Sequence, residues 1–256
     1  MRVLATYNIK GGVGKTATAV NLAYLAARSG MRTLIWDLDP QGAASFYFRV
    51  KPRIKGGGKK LLRGDIDLDD RIKETDFQNL HLLPADFSYR HMDLELADAG
   101  KPVKRLRRLL KPLTGDYDLI LIDCAPSISL VSESVFRAAH VLLVPTIPTP
   151  LSLRALLQIL KSLPGARSKR LSVFPFFCMV DRRRALHRGT ADLAEEIPIP
   201  FLPTEIPYSS LVEQMGARRA PLHTFARSSK PALAYEALWK EIQLWMDSGK
   251  GYSTRR

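Results

Sequence analysis

Lys10 to Thr16 reads Lys-Gly-Gly-Val-Gly-Lys-Thr. A phosphate loop ordinarily sets four residues between a first glycine and its Gly-Lys pair. Here that first place is Ile9, and glycines stand at 11 and 12 instead. The chemistry survives the change. Gly11, Gly12 and Gly14 let backbone N–H groups turn inward around an anion. A helix beginning at Lys15 would aim its positive end at the same point. Lys15 can reach the outer phosphates of a nucleotide, and the Thr16 hydroxyl can ligate Mg²⁺. Lys10 to Ala17, Val13 included, is therefore the candidate nucleotide-phosphate site. Two carboxylate segments complete the set: Asp37-Leu-Asp39-Pro40-Gln41-Gly42, and the apolar run Leu119 to Asp123. A carboxylate at a strand tip beside such a loop can hold Mg²⁺, directly or through water. Asp37 and Asp123 occupy such tips.

These residues need a scaffold that delivers strand ends to one place. Arg2–Asn8 reads as a buried strand, Lys15–Arg28 as a helix and Arg32–Asp37 as a second strand, giving a right-handed βαβ unit. Further apolar strand candidates are Leu80–Leu83, Tyr117–Asp123, Val141–Val144, Leu171–Val180 and Ile199–Leu202. Strands alternating with helical patterns predict an α/β fold: a doubly wound, mostly parallel sheet with helices on both faces. Ligands of such sheets sit at the carboxyl ends of the strands. One domain over 1–248 and a flexible tail over 249–256 are expected. Arg49–Arg63, basic and broken by Pro52 and Gly56 to Gly58, reads as a mobile loop.

Lys-Gly-Gly-Val-Gly-Lys-Thr resembles the deviant phosphate loop of the ParA/MinD family of ATPases, a branch of the P-loop NTPases. The resemblance covers nearly the whole chain and is loosest after about residue 150. It implies ATP and Mg²⁺ as ligands and slow basal hydrolysis to ADP and phosphate. It also implies that Lys10 reaches across an ATP-dependent homodimer, where a second cation would act as an arginine finger does in trans. Lys10, Lys15 and Asp39 are then the catalytic set. Asp39, in a segment similar to the family's first switch, takes the place that orients the attacking water. Asp123 to Ser127 resembles the second switch. Thr16, Asp37 and Asp123 are the implied metal residues. Met179, Asp181 and Pro207 fall where the family's adenine contacts lie. Cys124 and Cys178 do not match the cluster-sharing cysteines of iron–sulfur relatives.

Lys plus Arg number 39 against 25 Asp plus Glu, a formal charge of +14. That excess suits a polyanion, nucleic acid or an anionic membrane surface. Family members bind DNA without sequence preference, and the candidate contacts are Arg182, Arg183, Arg184, Arg188, Arg218, Arg219, Arg227 and Lys230. Lys55, Lys59 and Lys60, and a cationic helix over Lys101–Lys111, are further clusters. The arginines that many relatives carry after the late Ile-Pro are absent: this chain has Ile206-Pro207-Tyr208-Ser209-Ser210. The resemblance thus implies a cytoplasmic, nucleoid-associated positioning ATPase with a cargo-linked activating protein as partner. A MinD-like membrane switch is the alternative. It would use the apolar stripe Tyr235, Leu238, Trp239, Ile242, Trp245 and Met246, which otherwise reads as a core-facing helix. A metabolic phosphoryl-transfer enzyme is a third reading. No apolar run approaches the roughly 18 residues of a membrane span.

Overall fold

The computed structural model describes residues 1–97, 102–163, 171–187 and 194–248. Arg188, Lys101 and the 249–256 tail lie outside them. Eight strands form one sheet in the order β3-β4-β2-β5-β1-β6-β7-β8. They are β1 (Arg2–Thr6), β2 (Thr33–Asp37), β3 (Lys73–Glu74), β4 (Leu80–Leu83), β5 (Leu119–Asp123), β6 (Val141–Thr146), β7 (Ser172–Val180) and β8 (Ile206–Pro207). All neighbours run parallel except β3, which pairs antiparallel with β4. The doubly wound, mostly parallel architecture is the one the alternation predicts.

Among the described residues the α-helices include α1 (Lys15–Arg28), α2 (Ala43–Tyr47), α3 (Gly57–Arg63), α4 (Met92–Ala97), α5 (Arg105–Leu110), α6 (Leu130–Ala138), α7 (Pro150–Ser162), α8 (Ser210–Arg218) and α9 (Lys230–Ser248). Successive strand side chains point to opposite faces, so the sheet feeds two cores. Leu4, Ile35, Leu121 and Leu143 pack toward α1 and α9. Val3, Leu34, Ile122 and Val144 face the other way, toward α5, α6 and α7. Each such strand is buried on both sides, which is why it reads as an unbroken apolar run.

Several sequence expectations need correction. Arg49–Arg63 is no simple loop: its second half is α3, held to α4 by Lys59 and Arg63 on Glu95 at 2.7 and 3.4 Å. Gly56 and Gly57 take left-handed backbone, and Gly58 serves close approach. Gly58 N donates to Ser88 Oγ at 2.8 Å, and a Cβ there would overlap the Tyr89 ring. Ile199–Leu202 is not a strand; its one sheet-like tie is Leu202 N donating to Pro175 O at 2.8 Å. Of Lys101–Lys111, the described part is a 3₁₀ turn over Pro102–Lys104 followed by the short α5.

Candidate functional site

β1, β2 and β5 end together. In the parallel register Thr6 pairs with Asp123, and Asp37 pairs with Asp123. The loop from Tyr7 to Gly14 crosses above those ends into α1. Asn8 fixes its start: the Asn8 amide donates to Pro145 O at 2.9 Å, and its carbonyl accepts from Lys10 N at 2.9 Å. Asn8 was not singled out above, although a buried amide closing an apolar strand marks it. Gly14 is the N-cap of α1, left-handed at φ 94°, and no side chain caps the helix. The first-turn N–H groups thus remain available to an anion. Lys15 is buried, and its ammonium donates to Lys10 O across the loop at 3.1 Å. Burial lowers its pKa, while Asp123 works the other way. Lys10 leans outward and donates to Ser152 Oγ in the first turn of α7 at 3.3 Å.

Asp37 and Asp123 are fully buried side by side at the strand ends. One oxygen of each is spoken for. Asp37 Oδ2 accepts from Ser45 N and Ser45 Oγ, both at 2.7 Å, and Asp123 Oδ1 accepts from Thr6 Oγ1 at 3.3 Å. The other oxygens, Asp37 Oδ1 and Asp123 Oδ2, are buried with no hydrogen-bond partner. Burial raises the pKa of both carboxyls. For Asp123 the Asp37 charge raises it further, while the neighbouring Thr16 hydroxyl opposes the shift. Two unmatched oxygens under a phosphate loop fit a hard cation. Among the described residues no group of three or more His, Cys, Asp or Glu forms a metal cage. Mg²⁺ typically takes one or two carboxylates and completes its shell with water and substrate phosphates. Ser45, absent from the sequence-derived set, is the residue that orients Asp37. Asp39 is partly exposed in the following turn and accepts from Gln41 N at 2.9 Å.

Behind the loop, Gly14, Ala17, Met179, Pro207 and Tyr208 line a narrow cleft. β7 pairs with β8 irregularly there, and Met179 sits left-handed at φ 57°. Met179 and Pro207 are thus brought beside the loop. Asp181 is not among the cleft-lining residues. Its carboxylate holds Arg183 at 2.9 Å and Arg184 at 3.6 Å, and the hydrogen bond from Arg183 pulls its pKa down to about 2.

The proposed DNA-contacting cations do not form one surface of unpaired charge. Arg182 pairs with Glu205 at 2.9 Å, and Arg183 and Arg184 share Asp181. Arg218 stacks over Phe225 and Arg219 over Phe46. Lys230 is exposed at the start of α9. The apolar stripe of α9 is spent internally: Tyr235, Leu238, Trp239, Ile242 and Trp245 are buried in the core shared with α1, and Met246 packs against it. No helix among the described residues is long and apolar enough to cross a membrane.

Residues 1–172 match the family model described as an AAA domain. An uncharacterized protein of Pseudomonas putida is 31% identical, with 94% of each chain covered. The chromosome partitioning protein ParA of Caulobacter vibrioides is 29% identical, again with 94% of each chain covered. Among solved structures, one named cobyrinic acid a,c-diamide synthase from Mycobacterium smegmatis, with bound ADP and magnesium, superposes with a TM-score of 0.84. It is 27% identical and covers 100% of this chain and 99% of its own.

Proposed function

The chain belongs to the AAA-domain family and, within it, to the ParA/MinD ATPases, and on that premise we propose an ATP-driven positioning switch. In this reading the ATP-bound chain forms a sandwich dimer and binds DNA without sequence preference. A cargo-linked partner stimulates hydrolysis, and the ADP-bound monomer lets go of DNA. The activity belongs to one domain over 1–248, acting in the cytoplasm on the nucleoid. The observation that carries the reading is the pair of unpartnered oxygens on Asp37 and Asp123, directly beneath the loop that presents Lys15 and Thr16.

The roles follow from that placement. Backbone N–H groups from Gly11 to Lys15 cradle the phosphates, and Lys15 leaves Lys10 O to neutralise them. Thr16, Asp37 and Asp123 would hold Mg²⁺, which offsets phosphate charge when bound. Asp39 orients the attacking water from its exposed turn. Lys10 trades its bond to Ser152 for the partner's nucleotide. Met179 and Pro207 bracket the base, whereas Asp181 acts indirectly through Arg183.

Sedimentation velocity with ATP, ADP or no nucleotide tests the switch. The parent is expected to dimerise with ATP alone. Lys15→Gln should lose dimerisation together with nucleotide binding, and Lys10→Ala should bind ATP yet remain monomeric. Dimers of Lys10→Ala equal to the parent's would refute the trans role. A second reading, an acceptor-dependent metabolic enzyme, has the name of the Mycobacterium smegmatis structure in its favour. Phosphate release from ATP with no acceptor present separates the two.

A further inference from the structure

At the opposite end of the sheet lies a concavity of about 460 Å³. Met1 and Val3, at the start of β1, form part of its floor with Leu110 and Ala138. Its rim is cationic: Lys104, Arg107, Arg108 and Lys111 from the α5 segment, and Arg137 from α6. All five side chains belong to exposed residues. His140 ties the floor together, its Nδ1 accepting from Val3 N at 3.0 Å. Among the described residues no carboxylate lines the cavity. None of the five rim cations has an ion-pair partner among the described residues. The nearby Asp118 is committed to Arg32 at 2.8 Å.

This contrasts with the C-terminal arginines, where Arg182, Arg183 and Arg184 already have acidic partners. A phosphate must displace an existing partner there, but not on the α5 face. Basic side chains in last turns also suit the negative ends of helices. That explains Arg107, Arg108 and Arg137 one at a time. It does not explain five cations converging on one cavity with no carboxylate between them. Arg107 and Arg108 lie in α5, Lys104 and Lys111 cap its two ends, and the spacing i, i+3, i+4, i+7 strings the four along the segment. The stripe is about 10 Å long at the helical rise. A DNA duplex carries one negative charge per about 1.7 Å of its axis, so such a stripe spans several phosphates.

We infer that the α5–α6 face, rather than the acid-paired Arg182–Arg184 cluster, holds the phosphate backbone of duplex DNA. The inference rests on the DNA-binding part of the function proposed above. It places DNA about one strand length, roughly 17 Å, from the phosphate loop, so substitutions here should spare the nucleotide chemistry.

The test is fluorescence anisotropy with a labelled random-sequence duplex of 30 base pairs, in ATP and Mg²⁺, over a salt series. Three variants are compared with the parent: Lys104→Ala/Arg107→Ala/Arg108→Ala/Lys111→Ala, the milder Arg107→Gln/Arg108→Gln, and Arg182→Ala/Arg183→Ala/Arg184→Ala. The quadruple variant should bind at least about tenfold more weakly, with a log–log salt slope shallower by about three, near the value for losing three to four phosphate contacts. The double variant should show roughly half that change in slope, with basal ATP turnover and melting temperature as in the parent. The C-terminal triple variant should stay within about threefold of the parent. Parent-like binding by both α5 variants, whatever the triple variant does, would overturn the assignment and leave DNA binding intact. A parent that binds no duplex with any nucleotide would instead sink the DNA reading itself. Phosphatidylglycerol vesicles form the last arm. Vesicle binding lost in the quadruple variant while duplex binding persists would reassign this face to lipid and refute the proposal.

Discussion

Asp37 and Asp123 keep protons that an exposed aspartate would shed, because burial and their mutual repulsion disfavour the charged forms. The sign of the consequence follows from linkage. Both folded-state pKa values lie above the unfolded ones, so the folded chain binds more protons through this range. Stability is then full below the ordinary carboxylate range and falls as pH rises through the folded values. A melting series from about pH 5 to about pH 8 without ligand should show that decline. Mg²⁺ with ADP should reverse it, since binding to the folded state alone stabilises that state. Asp123→Asn removes the buried charge. Its melting temperature at about pH 8 should exceed the parent's by about 3 °C or more, a gain on the order of 1 kcal/mol, and Mg²⁺ should no longer enhance stabilisation by ADP. A variant whose melting temperature equals the parent's at both pH values would contradict the assignment of buried, unpaired carboxyl oxygens.

At the scale of elements, the phosphate loop is shaped as much by β7 as by its own glycines. A Cβ on Gly14 would lie 2.8 Å from Cys178 Sγ, and Gly14 is left-handed as well. Gly11 differs, with nothing within 4 Å of its would-be Cβ. Gly14→Ala should therefore cost roughly 2–4 kcal/mol, combining overpacking with backbone strain. Gly14→Ala/Cys178→Ala should regain the overpacking part and keep a deficit of about 1–2 kcal/mol from the left-handed backbone. Gly11→Ala should melt as the parent does. Urea unfolding of the three variants measures each contribution, and equal losses at Gly11 and Gly14 would refute this account. The sequence made the loop legible but not this difference, because the contact partner lies 164 positions away. The same limit explains other outcomes. The tips of β2 and β5 could be read from apolar runs that end in Asp37 and Asp123, whereas the first run, read to Asn8, overshoots the end of β1 at Thr6. The two-residue strands β3 and β8 are too short to carry any periodicity. Gly58 reads in sequence as loop punctuation, because its need for space lies in Tyr89, 31 positions away. Ser45 carries no sequence mark of its bond to Asp37, and nothing in the sequence around Asp181 shows that its carboxylate is held by Arg183 and Arg184.

For the whole molecule, the sheet separates two ends with different chemistry, and α9 decides what the rest of the surface can do. The stripe of α9 could serve either a core or a lipid surface, since amphipathicity alone does not distinguish them. Here Ile242 is fully buried against the sheet, Trp245 edges onto Phe174, and the Arg2 guanidinium lies over the Trp245 ring. Leu244, two residues on and facing outward, is 70% exposed. The two residues therefore make opposite predictions. Ile242→Ala should cost about 2–4 kcal/mol for the lost packing and the cavity left behind, lowering the melting temperature by roughly 5–10 °C in a chain of this size. Leu244→Ala should stay within about 0.5 kcal/mol of the parent. Flotation with phosphatidylglycerol vesicles should distinguish neither variant from the parent. A lipid anchor would invert the pattern: Ile242→Ala would melt normally and lose vesicle binding, because its side chain would leave water only on meeting lipid. With the stripe committed to the core, contact between this chain and an anionic partner falls to its surface cations, among them the five of the α5–α6 face, which have no ion-pair partner among the described residues.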